Sequence, residues 1–432
     1  MFIKGSTGSL TFHGFNCQKM TAENIKPETE EQLRDSIQWA LGDEVSLDII
    51  GSGSKRTLGR PVDAKHCLDL SGFSGITLYQ PEELVMTVKA ATPLVEIEAV
   101  LEKQNQELAF EPANYDALLN GVPSSNQPSG TIGGVVACNL SGPRRIKVGA
   151  ARDHLLGFHA VSGRGDLFKS GGQVVKNVTG FDLSKLMAGS FGTLALIMDV
   201  SLKVLPRPEK ARTLLVPGAD DSQAIAAMTA ALHSPFEVSG AAHVPQSLSK
   251  HSTVSYVSAA ARSITAVRIE GVGPSVESRC DSLKKTLKPF GTLEELHTRN
   301  SNTFWQEIRD VTYYTGTDLN QNQVWKISVP PASGAAVADR LRQTLAGDIY
   351  YDWGGGLLWL AMTPQHDAGQ DIVREALVDG GHATLIRAND TVRKQVDVFQ
   401  PQPKALAALS ARVKEAFDPK GILNPGRMIE GV

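Results

Sequence analysis

"TIGGVVACNLSGPRR", Thr131–Arg145, sets three glycines, a serine, an asparagine and two arginines around the short apolar run Val135–Cys138. Glycine loses the most conformational freedom on ordering, so such a cluster marks backbone that must pass where a Cβ cannot. The stretch has neither the P-loop nor the dinucleotide-fold spelling. Gly133 and Gly134 allow backbone to approach a ligand closely. Thr131, Asn139 and Ser141 offer hydrogen bonds to ring or ribityl oxygens, and Arg144 or Arg145 can face a phosphate. The small residues Val135–Cys138 suit contact with a flat ring.

A second glycine loop lies upstream. Gly51-Ser52-Gly53-Ser54-Lys55-Arg56 directly follows "EVSLDII", which reads as a strand. Successive amides in such a turn form a concave anion site, and Lys55 or Arg56 adds charge. The position of a third fingerprint glycine is Arg56, and no GK[ST] follows. Each loop alone is equally compatible with plain turns. Together they suggest a long dinucleotide lying between two subdomains.

The chain has 432 residues, 41% hydrophobic and 21% charged, with a net charge of −3. That length predicts more than one domain, and the charge excludes the basic surplus of a nucleic-acid protein. Cys17, Cys67, Cys138 and Cys280 are scattered without CxxC or Cys/His spacing, so no metal site is expected. Scattered thiols fit a reducing compartment. The start lacks a basic segment followed by an apolar one, and no apolar run reaches the roughly 18 residues of a membrane span. A cytoplasmic protein is expected, at most held at the inner membrane face by partners.

Periodicity organises the rest. Glu28–Leu41 has helical spacing, with Leu33, Ile37, Ala40 and Leu41 on one face and Trp39 off it. Glu83–Leu108 reads as a strand followed by a helix, with Thr92 as cap and Pro93 at the first helical position. His154–Gly171 reads as strand, turn, strand. Asp182–Arg212 runs through a short helix, a glycine hinge and a strand to a Pro-rich joint near Leu205–Pro208. Beyond it, "ITAVRIEG" and "QVWKISVP" read as strands. "DDSQAIAAMTAALHS", "SVESRCDSLKKTL" and "SGAAVADRLRQTL" read as helices of a small α+β layer.

Three segments in order carry a family likeness: Gly51–Pro61, Thr131–Gly157 and Gly180–Pro208, with "FDPKGILNPGRM", Phe417–Met428, at the close. The chain resembles the FAD-binding domain of the p-cresol methylhydroxylase and vanillyl-alcohol oxidase type. Within that family "VKNVTGFDLSKLMAGSFGTLALI", "KVLPRPE", "DWGGGLLWL" and "GGHAT" are most similar to FAD-binding subunits of glycolate oxidases. The resemblance implies an α+β fold of two subdomains cradling FAD, with an inserted α+β cap. It divides the chain into an N-terminal extension 1–27, an FAD-binding domain 28–208, a cap or interface domain 209–398, and a returning segment 399–432. It implies that Gly51, Ser52, Gly53, Ser54, Lys55 and Gly59 hold the pyrophosphate. Thr131, Gly133, Gly134, Asn139 and Gly142 would line the ribityl and ring region. Arg145, Ile197 and Asn424 are further cofactor candidates, and Asn424 with Arg427 either approaches the flavin or caps the last helix. Some relatives attach the flavin to a histidine of the first loop. Gly51–Pro61 has none, so noncovalent FAD is expected.

Oxidising a 2-hydroxy acid needs a hydride acceptor, a base and a carboxylate clamp. The segment Asp352–Trp359, which aligns with a histidine-bearing strand of catalytic relatives, has no histidine. His382 is the remaining base candidate and Arg387 the candidate clamp. The resemblance implies a multi-subunit glycolate oxidase, with a second FAD-containing catalytic subunit and an iron–sulfur subunit as partners. Two alternatives stay open: a self-sufficient FAD-dependent 2-hydroxy-acid dehydrogenase using His382, and a non-catalytic assembly subunit.

Overall fold

The computed structural model describes residues 24–121, 130–172, 181–316 and 319–431. Most of the N-terminal extension, and residues 175–180 of the family-like stretch, lie outside them.

The first helix, Glu30–Gly42, is capped by the Thr29 side chain, which accepts from the Gln32 amide at 3.2 Å. Its stripe Leu33, Ile37 and Ala40 is fully buried. It packs on a three-stranded parallel sheet ordered Asn24–Ile25, His66–Asp69, Leu47–Ile50. Trp39, off the stripe, meets the edge of His66 at 5.0 Å. Behind this layer stands a five-stranded antiparallel sheet, ordered Ile76–Gln80, Val85–Lys89, Ala195–Lys203, Leu155–Ser162, Leu167–Gly171. Val161, Leu196 and Met198 of that sheet close one core with Leu33, Leu47 and Leu423.

The helix after Lys89 starts one residue later than its spacing predicts. Pro93 is the N-cap of Leu94–Glu102. The Thr92 hydroxyl instead donates to the Lys89 carbonyl (2.7 Å) and accepts from the Gly75 amide (2.9 Å). It ties the strand end to its neighbour rather than capping the helix.

Residues 210–387 build an antiparallel sheet of eight strands. Its order is Glu294–Leu296, Lys210–Pro217, Ile264–Gly271, Gly240–Val244, Gly347–Asp352, Leu357–Met362, Gln323–Ser328, His382–Arg387. Side chains alternate between its faces. Leu214, Val216, Val267, Ile269, Trp325 and Ile327 point to a core shared with helices Asp221–Leu232, Gly273–Leu287 and Gly334–Arg342. Leu215, Ala266, Val324, Tyr350 and Trp359 point the other way, into the core of the five-stranded sheet. One apolar core therefore joins the large sheet to the N-terminal part. Helix Thr298–Asp310, absent from the elements expected above, closes its end with Phe304, Trp305 and Ile308.

Ions reinforce that junction. Arg144 pairs with Glu107 and with Glu270 (2.7 Å), and Arg268 binds Glu111 at 2.8 Å. The expectation that Arg144 faces phosphate is therefore corrected: carboxylates take its donors. The last segment returns across the fold. Lys414, buried in helix Lys404–Phe417, binds Asp418 (2.7 Å) and the carbonyl of Thr193 (2.8 Å).

Candidate functional site: a cofactor cavity between two glycine loops

Strand Leu47–Ile50 ends in Gly51, and the chain turns through Gly53 at φ +75°, a conformation glycine adopts without steric cost. Facing this turn is the short helix Ile132–Ala137. Its cap is Thr131, whose hydroxyl accepts from the Gly134 amide at 3.3 Å. Gly133 permits the approach: a Cβ there would lie 2.7 Å from the Ala90 carbonyl oxygen, which accepts the Gly133 amide. A Cβ on Gly51 would meet Thr131 Oγ1 at 3.0 Å. Gly51 thus brings the first loop against the Thr131 side chain, and Gly133 seats the short helix on Ala90.

Between them lies a cavity of about 780 Å³, counting the space at its mouth. Gly51, Ser52, Gly53, Ser54, Lys55, Thr131, Gly133, Gly134, Ile197 and Asn424 all line it. Asn424 does so as a brace. Its side chain accepts from the Ile49 amide (2.8 Å) and donates to the Phe191 carbonyl (2.9 Å), which joins the first loop's strand to the turn at Phe191.

Four candidates lie elsewhere. Gly59, at φ +82°, lets the first loop cross the closing segment, since a Cβ there would lie 3.0 Å from the Arg427 carbonyl. Asn139, at φ +49°, accepts from the Arg152 amide at 3.1 Å. Gly142 makes room for Glu111 and Arg309, with a Cβ there 2.7 Å from Glu111 Cβ. Arg145 turns away and stands over the Trp353 indole at 4.6 Å. At Gly59, Asn139 and Gly142 the missing Cβ or the polar side chain serves chain packing.

The cavity wall also holds Cys138 and Arg427, the latter on the flavin side of its two expected roles, and residues absent from the expectations, among them Ile49, Leu70, Ala90 and Phe191. Arg427 is buried. It donates to the Lys55 carbonyl at 2.8 Å and keeps its Nε without a partner. Among the described residues the Lys55 ammonium reaches only Ser54 Oγ at 3.2 Å, and burial lowers its pKa. Burial raises the pKa of the Cys138 thiol, opposed by the charges of Lys55 and Arg427. Two sheltered cations with free donors, a turn of amides and apolar walls fit an elongated dianion that carries a flat ring. The residues present therefore fit FAD: Lys55, Arg427 and the first loop for its diphosphate, and Thr131–Cys138 with Ile197 for the flat end. No histidine is among the cavity's lining residues.

The candidate catalytic pair is not assembled. His382 is exposed at the start of the edge strand, opposite Ser328. Partial burial and then the charges of Lys326 and Arg145 lower its pKa. Arg387 is buried, and its guanidinium donates to the carbonyls of Asn322, Leu118, Tyr314 and Leu319 at 2.7–3.1 Å. Five residues of strand separate the two, roughly 16 Å. Arg387 ties four chain segments together and has no fork left for a carboxylate.

Among the described residues, no group of three or more His, Cys, Asp or Glu could hold a metal ion. None of their helices is long and apolar enough to cross a membrane.

Comparison with known proteins agrees with this geometry. Residues 24–171 match the FAD binding domain family, and residues 399–428 match the C-terminal domain of FAD linked oxidases. The glycolate oxidase subunit GlcE of Escherichia coli (strain K12) is 35% identical over 402 residues, spanning 92% of this chain and 97% of that protein. The glycolate oxidase subunit GlcD of Bacillus subtilis (strain 168) is 29% identical over 199 residues, 46% of this chain and 40% of that protein. Among solved structures, p-cresol methylhydroxylase with substrate bound superposes with a TM-score of 0.68 at 14% identity, covering 94% of this chain and 88% of that one. That likeness concerns the fold.

Proposed function

The chain belongs to the GlcE family of FAD-linked oxidases, and on that premise we propose that it is the FAD-binding subunit of a multi-subunit glycolate oxidase. The complex would oxidise glycolate to glyoxylate. The carrying observation is the cavity between the two glycine loops, in a chain that matches a glycolate oxidase subunit over 97% of that subunit's length. Bound there, FAD supplies a two-electron acceptor for hydrogen leaving a CH–OH carbon. The chain's own part is to hold it. The first loop's amides, Lys55 and Arg427 neutralise the diphosphate, Thr131 fixes the helix that backs the ring end, and Asn424 braces the walls. The attachment is noncovalent, since neither the loop nor the rest of the lining offers a histidine.

The proposed partners are a second FAD-containing subunit that oxidises substrate and an iron–sulfur subunit that carries electrons toward the quinone pool. The chain would work in the cytoplasm, held at the membrane's inner face through those partners. Reconstitution tests the reading. Glycolate-dependent dye reduction is expected from the assembled complex, with little from this chain alone. Rapid turnover by the isolated chain, abolished by His382→Ala, would instead make it a self-sufficient 2-hydroxy-acid dehydrogenase.

A further inference from the structure

The segment Thr131–Arg145 borders more than the cofactor cavity. Its first half, Thr131 to Cys138, lines that cavity. Its second half reaches the large sheet, where the Gly142 carbonyl accepts from the Trp353 indole at 3.2 Å. Trp353 sits in a strained turn. Its own φ is +52°, followed by +66° at Gly354 and +95° at Gly355. A bulky residue in the left-handed region costs energy and persists only where the surroundings impose it, and such outliers concentrate at functional sites.

Two cations share that indole. Arg145 stands 4.6 Å from the ring centroid, and the Lys326 ammonium 5.1 Å. Lys326 also stands 5.6 Å over Trp359, its register partner on the next strand. The position of Lys326 follows from strand alternation: Trp325 and Ile327 fill the far core, so the residue between them faces the FAD-binding part. Other sheltered cations of the fold, such as Arg144, Arg268 and Lys414, have carboxylate partners. Among the described residues, the Lys326 ammonium and the Arg145 guanidinium have neither a hydrogen bond nor an ion pair. Asp352 is the nearby acid. Its carboxylate accepts from the Trp353 amide at 2.7 Å, and burial pushes its pKa up to about 7, so near neutral pH it offsets only part of one charge. His382 completes the surround as a third basic group. The Arg145 charge acts on the Lys326 ammonium, and sheltered cations near one another repel unless an anion joins them.

We propose that Lys326 and Arg145, on the platform of Trp353, form a binding site for the carboxylate of a small 2-hydroxy acid. The choice of acid rests on the functional reading above, while the anion site rests on the two unpaired cations. The guanidinium supplies a planar fork suited to a carboxylate, the ammonium a point charge, and the indole a wall against the small carbon chain. One continuous segment, Thr131–Arg145, supplies wall residues to the cofactor cavity at its start and Arg145 to this site at its end. It uses neither Arg387 nor a histidine in Asp352–Trp359.

The test titrates glycolate into the FAD-loaded chain and follows tryptophan fluorescence, with inorganic phosphate as the competing probe. Glycolate should give a saturable change and phosphate a weaker one. Lys326→Met and Arg145→Gln should each weaken glycolate binding about tenfold or more, the loss of one charge-assisted contact. Lys326→Arg should bind within about threefold of wild type, because the charge remains. No saturable response, binding unchanged in both charge-removing variants, or phosphate binding as tight as glycolate would each overturn the proposal. Flavin content and thermal midpoint are read from the same samples. A chain that binds glycolate but holds no flavin refutes the cofactor reading and not the anion site.

Discussion

Replacing Lys326 by Met tests the electrostatics of the large sheet quantitatively. Met keeps the length and most of the volume of the stem while removing the charge. Burial, and then the charge of Arg145, push the Lys326 pKa from its ordinary 10.5 down to about 8, with Asp352 opposing. A depression of about 2.5 units corresponds to about 3 kcal/mol between protonation states. The folded state favours the neutral amine, so the cost of keeping the ammonium is fully present below about pH 8. It is relieved as pH rises from about 8 toward the unfolded value near 10.5. At pH 7, Lys326→Met should therefore be more stable than wild type by up to about 3 kcal/mol. The gap should shrink steadily through pH 9, fall to about a quarter of its full value by about pH 10, and nearly close by about pH 11. Urea unfolding of both proteins at several pH values, in a buffer free of carboxylates, measures the difference. Arg145, His382 and Asp352 face the same site; loss of the Lys326 charge raises the pKa of His382 and of Asp352, so the limb above pH 8 is the one that reads Lys326 itself. A variant less stable than wild type at pH 7, or a difference that ignores pH, refutes the reasoning. Stability gained as an anion site is lost is the trade-off expected of a functional charge.

Other expectations follow from the same geometry. Gly134→Leu should project into the cofactor cavity beside Lys55, where a Cβ would lie 3.5 Å from Lys55 Cδ; absorbance near the flavin band should fall sharply while the thermal midpoint holds. Lys414→Met strands the buried Asp418 carboxylate and should cost about 3–5 kcal/mol in chemical denaturation. Arg387→Ala removes the guanidinium from four carbonyls, those of Leu118 and Tyr314 in buried bonds, and should destabilise by about 2–4 kcal/mol, with glycolate affinity unchanged in the folded fraction. Glycolate binding should weaken above about pH 8 as Lys326 loses its proton, with Asp352, Arg145 and His382 as the other charges in its surround; a fluorescence titration at pH 7 and pH 9 measures it.

Much of the architecture is legible from local chemistry. Leu33, Ile37 and Ala40 declare their helix by spacing, and "ITAVRIEG" is the strand Ile264–Gly271. Helix Thr298–Asp310 is strongly amphipathic, with Phe304, Trp305 and Ile308 at helical spacing, but its polar first turn and uncapped start hide where it begins. At the cavity, the loops announce themselves but individual glycines do not. A sequence records that a Cβ is absent, not whether a ligand or another chain segment takes its place. Gly51 and Gly133 border the cavity, whereas Gly59 and Gly142 admit Arg427 and Glu111. Arg145 looks like a phosphate ligand beside the glycine loop, but its partner, Trp353, lies far along the chain in a turn with three successive positive φ values. Tertiary geometry of that kind has no local signature. Nor does the unpaired state of Lys326, which is visible only once Trp325 and Ile327 are seen facing the opposite core.

The central claim is that the cavity between Gly51–Lys55 and Thr131–Cys138 holds FAD without a covalent bond. Its most direct measurement is the flavin content of the purified chain, before and after acid precipitation. The geometry predicts close to one FAD per folded chain, all of it released to the supernatant. A folded chain that is colourless and takes up no added FAD, or flavin that stays with the precipitated protein, would contradict it.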